Sequence, residues 1–139
     1  MSSSTVRVLV VDDYEPFRRF VCSTLEKRLN LQVVCEASDG LEAVRRAEEL
    51  KPDLILLDIG LPKLNGLQTA QEIRKLAPES KIIFVSQESS PDVVQEALSL
   101  EAPGYVAKTR AASDLLAAVE AVLEGRRFVS SGLTTSGPD

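Results

Sequence analysis

Residues 53–66 read DLILLDIGLPKLNG. Four consecutive apolar residues, Leu54 to Leu57, follow the helix breakers Lys51 and Pro52 and predict a short strand buried on both faces. The strand stops at a carboxylate, Asp58. Residues 59–66, rich in Pro and Gly, read as a loop, after which Leu67, Ala70, Ile73 and Leu76 fall at helical spacing.

The same unit recurs on both sides of this stretch. Val6 to Val11 (VRVLVV) is an apolar run that ends at Asp12 and Asp13, and a helix is predicted from Pro16 through Phe17, Phe20, Val21 and Leu25 to about Leu29 or Asn30. Leu31 to Ala37 reads as a second strand, and a Ser38-Asp39-Gly40 turn leads to a helix carrying Leu41, Val44, Ala47 and Leu50. Downstream, KIIFV at 81–85 ends at Ser86, a polar loop runs from Gln87 to Pro91, and Val94, Ala97 and Leu98 mark a helix. Pro103 and Gly104 turn the chain into a fifth strand, Tyr105 to Ala107, that ends at Lys108. Leu115, Leu116, Val119, Val122 and Leu123 make the last amphipathic helix, and Gly125 stops it.

Strands that alternate with helices require right-handed crossovers between parallel neighbours. The expected fold class is therefore α/β, a doubly wound five-stranded parallel sheet with helices on both faces, and five strands fit the flavodoxin-like order 2-1-3-4-5. Residues 1–5 are expected to be a disordered N-terminus, 6–129 the folded domain, and 130–139, rich in Ser, Thr and Gly, a flexible C-terminal tail or truncated linker.

Composition narrows the function. A chain of 139 residues accommodates one core. Sixteen basic against 21 acidic residues give a net charge of -5, which argues against direct binding to nucleic acid. There is no His, which removes Ser-His-Asp and Cys-His nucleophile schemes together with HExxH metal sites. No basic-apolar leader opens the chain and no apolar run approaches the roughly 18 residues of a membrane span, so the expectation is a soluble cytoplasmic protein with no membrane partner. Cys22 and Cys35 are expected to be reduced packing thiols.

Ligands of open α/β sheets sit outside the carboxyl ends of the strands, near the switch in strand order. An order 2-1-3-4-5 sets the first and third strands side by side and gathers Asp12, Asp13 and Asp58 there. Three carboxylates that close repel unless a cation is present, and hard oxygen donors suit Mg²⁺. Lys108 adds a fixed ammonium and Ser86 a hydroxyl at the ends of the neighbouring strands. These are the parts required to pass a phosphoryl group onto a carboxylate, and Asp58, on the central strand, is the natural acceptor.

Those residues carry a resemblance. VLVVDD at 8–13, DLILLDIGLPKLNG at 53–66, FVS at 84–86 and GYVAK at 104–108, with Asp58 45 positions after Asp13 and Lys108 50 positions after Asp58, resemble a receiver domain of the two-component response regulators from about Val6 to Gly125. SDGLEAV at 38–44 and VLEGRRFVS at 122–130 are similar to the LuxR-type transcriptional branch. The resemblance implies phosphorylation of Asp58 by a sensor histidine kinase or a small phosphodonor. It implies Mg²⁺ held by Asp13, Asp58 and the Gly60 backbone carbonyl, with Asp12 acting through a water. Ser86 and Lys108 would contact the phosphoryl oxygens, and Tyr105 would be the aromatic switch residue. Phosphorylation would bias a surface of the fourth helix, fifth strand and fifth helix, with a homodimer as the common readout. That branch normally adds a helix-turn-helix domain after the receiver, so the expectation is a receiver taken from a longer protein, with a stand-alone receiver as the alternative.

Departures from the family pattern touch details. Thr109 replaces a common Pro and leaves the cis bond usual after that Lys in question. Gln87 and Glu88 follow the switch hydroxyl and are expected to tune how fast water reaches an acyl phosphate. The protein is expected not to be an enzyme beyond self-phosphotransfer and autodephosphorylation, because an aspartyl-phosphate hydrolase needs a second Asp where Gly60 stands. The alternative function is a phosphorylation-independent pseudo-receiver acting as a protein-interaction module. A flavodoxin-like cofactor binder fits poorly, with four Phe, two Tyr and no Gly-rich loop after the first strand.

Overall fold

The computed structural model describes residues 5–88, 90–131 and 133. The five expected strands, β1 (Val6–Val11), β2 (Leu31–Ala37), β3 (Leu54–Leu57), β4 (Lys81–Ser86) and β5 (Gly104–Ala107), form one parallel sheet in the order β2-β1-β3-β4-β5. Helices α1 (Glu15–Leu25), α2 (Gly40–Leu50), α3 (Gly66–Leu76), α4 (Pro91–Ser99) and α5 (Ala111–Leu123) follow them in turn. Successive side chains of a strand point to opposite faces, and both faces are buried. Leu9, Val11, Ile55, Leu57, Phe84 and Tyr105 pack with Ala43, Ala47, Ile73, Val94 and Ala97 of α2 to α4. Val8, Val10, Leu54, Leu56, Ile83, Val85 and Val106 pack with Val21, Leu25, Leu115, Val119 and Val122 of α1 and α5. This two-sided burial is why the strands read as continuous apolar runs. Cys35 lies on the first face and Cys22 on the second, so the sheet separates the two free thiols.

Two boundaries differ from expectation. The helix predicted to reach Leu29 ends at Leu25, and the N–H groups of Lys27 and Arg28 turn back onto the carbonyls of Thr24 and Leu25. Leu29 is 99% exposed, so no apolar partner rewards further helix at that point.

The second difference is a sixth strand, β6 (Phe128–Val129), parallel to β5. Two residues are too short for any periodic signal. The start of the expected flexible tail is also held. Ser130 and Leu133 are buried at 2% and 8% exposure, and the Ser130 N–H donates to the Tyr105 carbonyl at 2.9 Å. Residues 1–4, expected to be disordered, and 132 and 134–139 of the tail lie outside the described residues. Among the described residues no helix is long and apolar enough to cross a membrane.

Caps fix the loops at the carboxyl ends of the strands. Asp39 accepts from the Glu42 N–H, Ser90 from the Val93 N–H, and Asn65 and Gln68 form a reciprocal capping box. Gly66 starts α3 directly against β3, where a Cβ would overlap the Asp58 carbonyl oxygen. That close approach folds residues 59–66 tightly over the end of β3, with the Gly66 N–H on the Ile59 carbonyl at 2.7 Å.

Candidate functional site

Parallel pairing brings the ends of β1 and β3 into register, with Val11 opposite Leu57. The next residues, Asp12 and Asp58, therefore emerge side by side, buried at 3% and 6% exposure, while Asp13 faces solvent. Carboxylate oxygens of Asp12, Asp13 and Asp58 all lie within 4.8 Å of one another. From the end of β5, Lys108 reaches across so that its Nζ sits 2.8 Å from Asp12 and 3.3 Å from Asp58. One ammonium thus faces three carboxylates, and the cluster keeps an excess of negative charge.

The electrostatics follow from that count. Burial pushes the Asp12 carboxyl above its ordinary value, and the Asp58 charge adds to the rise, against hydrogen bonds from Lys108 and the Tyr14 N–H. Burial works against the Lys108 ammonium, but the hydrogen bond to Asp12 and the charges of Asp58 and Asp12 outweigh it and hold its pKa above that of a free lysine.

The three aspartates meet the requirement for a hard divalent cation. They offer oxygen donors only, Lys108 does not neutralise them, and Gly60 on the cleft wall puts no side chain in the way. The cleft itself is open, about 520 Å³, and is lined by Asp13, Tyr14, Asp58, Gly60, Ser86, Gln87, Glu88 and Lys108. The Ser86 hydroxyl accepts from the Glu88 N–H at 3.1 Å, and the Gly60 N–H points to the Asp58 carboxylate at 3.3 Å.

Tyr105 stands apart from this group. Its ring is fully buried against Phe84 at a centroid distance of 6.1 Å. Its hydroxyl donates to the Glu88 carbonyl at 2.8 Å, tying β5 to the loop after Ser86. Burial foremost pushes its pKa up to about 12, so the hydroxyl keeps its proton.

The family model for the response regulator receiver domain matches residues 8–120. The chain belongs to this family. The response regulator protein VraR of Staphylococcus epidermidis is 36% identical over 120 residues, which cover 86% of this chain and 57% of VraR. The solved LuxR-family two-component response regulator from Aurantimonas sp. SI85-9A1 is 32% identical, with a TM-score of 0.88 over 94% of this chain and 93% of that one. The NarL signal receiver domain from Mycobacterium tuberculosis is 31% identical with a TM-score of 0.83, covering 89% of this chain and all of that one. The receiver thus spans little more than half the length of VraR, and its resemblance to the LuxR-type branch holds in both sequence and structure.

Within the receiver, residues outside the motifs support the site. Arg18 of α1 donates to the Asp12 carbonyl at 2.8 Å and pairs with Glu36 of β2 at 2.8 Å, which pins the turn that presents Asp12 and Asp13. Asp12 serves the helix as well, since its side chain accepts the Tyr14 N–H at 2.9 Å. Behind Lys108, Ser130 accepts from the Ala107 N–H at 3.1 Å and donates to Asp114 at 2.7 Å. Neither Arg18 nor Asp114 carries a sequence signal, and Ser130, although it ends the quoted stretch 122–130, carries none for this contact, because the partners are distant in the chain or are backbone atoms. The Lys108 to Thr109 bond is trans, as are all described peptide bonds.

Proposed function

We propose that this receiver accepts a phosphoryl group on Asp58 from a sensor histidine kinase or a small phosphodonor, in a reaction that needs Mg²⁺. The observation that carries this reading is the placement of Asp58 between a carboxylate cluster and the Lys108 ammonium, on the floor of an open cleft. An Asp58 carboxylate oxygen attacks the phosphorus. The bond from phosphorus to the donor's leaving atom breaks, and the leaving group departs with that electron pair and takes up a proton from solvent. Lys108 and Ser86 meet the phosphoryl oxygens as charge builds on them. Asp13, Asp58 and the Gly60 carbonyl would hold the cation, with Asp12 reaching it through a water, and the bound cation would offset the charge of carboxylates and phosphoryl group together.

The product carries about -1.5 to -2 charge beside Ser86 in place of the single charge of the Asp58 carboxylate, and the loop after Ser86 carries the carbonyl that Tyr105 holds. Tyr105 is therefore assigned as the switch residue, and the surface of α4, β5 and α5 as the homodimer face that it biases. Gln87 and Glu88 line the approach for water and set the lifetime of the acyl phosphate.

Intact mass after incubation with Mg²⁺ and phosphoramidate tests the reading. One added phosphoryl group, absent from Asp58→Asn, is the expected result. No gain in the wild type, with Mg²⁺ binding demonstrated separately, would favour an interaction module that works without phosphorylation. Unchanged dephosphorylation of Gln87→Ala and Glu88→Ala would remove those two from the assignment.

A further inference from the structure

Lys108 has a third neighbour. Its ammonium lies 4.6 Å from the centroid of the Phe17 ring, in the first turn of α1 just after Pro16. The ring is braced by Phe20, with centroids 5.7 Å apart and planes tilted by 39°. The Lys108 side chain is 13% exposed, so water does little to weaken an attraction between the ammonium and the negative face of the ring.

The three contacts of Lys108 fare differently during phosphorylation. Its partner Asp58 becomes an acyl phosphate, and Asp12 is drawn toward the cation. The Phe17 ring alone of the three keeps its attraction for the ammonium unchanged. A lysine stem has four rotatable bonds and holds no preferred direction by itself. Resting on the phosphoacceptor reading above, we infer that Phe17 is a positioning residue for Lys108. Its ring face keeps the ammonium at the cleft wall while the carboxylates change partners, so that Lys108 meets the incoming phosphoryl oxygens.

The test replaces Phe17 site-specifically by mono-, di- and trifluorophenylalanine, which drain the ring face of negative charge and nearly keep its volume. Phosphorylation by phosphoramidate with Mg²⁺ is followed by intact mass. The expected result is a stepwise slowing that reaches about three- to tenfold at trifluorophenylalanine, with Phe17→Tyr close to the wild type. A second readout needs no phosphodonor or metal: the Lys108 Hε resonances are expected upfield from the ring current in the wild type and Phe17→Tyr, and at ordinary positions in Phe17→Leu. A wild type that phosphorylates normally, with rates flat across the fluorinated series, would overturn the role of Phe17 and leave the acceptor reading intact. A wild type that takes up no phosphoryl group would overturn both.

Discussion

Asp12 and Asp114 are both aspartates buried near the carboxyl end of the sheet, and both face a cation, yet their surroundings oppose each other. Asp114 accepts from Ser130 at 2.7 Å, from Ser113 at 3.1 Å and from Arg110 at 3.1 Å. It stands in the first turn of α5, where a helix favours negative charge. Burial works against its ionised form, but the hydrogen bonds from Ser130, Arg110 and Ser113 outweigh burial and hold its pKa below the ordinary value. Asp12 shares one ammonium with Asp58, beside a third carboxylate, and its pKa is raised. A carboxylate surrounded by donors is finished structure, whereas one left with surplus charge is a place for a ligand.

The largest effect should come from removing the cation of the unfinished cluster. Lys108→Ala is expected to slow phosphorylation by phosphoramidate about 100-fold or more, the scale of losing one preorganised charge partner, as measured by intact mass over time. Next is the finished cluster: Asp114→Ala should cost about 1–3 kcal/mol in urea unfolding, since it strands the buried hydroxyl donor of Ser130. Asp58→Asn should instead raise stability by about 0.5–1 kcal/mol, because it removes one of three crowded negative charges. Equal losses in these last two variants would erase the distinction between the clusters.

The smallest effects are in pH dependence, where the two aspartates should differ in sign. The folded pKa of Asp114 lies below 3.8, so its contribution is complete above that value and is lost as pH falls through the folded pKa. The stability gap between wild type and Asp114→Asn should therefore close in acid. The folded pKa of Asp12 lies above 3.8, so its contribution is complete below that value and is lost as pH rises through the folded pKa. Unfolding curves of Asp12→Asn against wild type should accordingly favour the variant near neutrality and lose that advantage on acidification. Parallel profiles for the two variants would show that the buried charge of Asp12 is better compensated than its three-carboxylate setting indicates.

What the sequence disclosed and what it withheld divide along physical lines. Asp12, Asp13, Asp58, Ser86 and Lys108 each end an apolar run, and the order of parallel strands alone gathers such residues, so the candidate cluster was legible before any coordinates. The end of α1 was not, because Leu29 keeps the apolar spacing while it packs against nothing. Phe17 read only as one more apolar position of α1, since its contact with Lys108 joins the first turn of α1 to the end of β5, far apart in sequence. Ser130 was hidden in a run of Ser, Thr and Gly that suggests mobility, although its hydroxyl is buried between Asp114 and the Ala107 backbone.

That last contact has a mechanical side. Because β6 runs parallel to β5, the chain past Val129 leaves the sheet at the same end that carries Asp58. Leu133 packs into the core on the α2 to α4 side of the sheet, and just before it the Ser130 hydroxyl accepts the Ala107 N–H, one residue from Lys108. The residues after β6 are thereby anchored at the cleft end of the sheet, so the last described part of the chain and the cleft ammonium share one short stretch of β5 backbone.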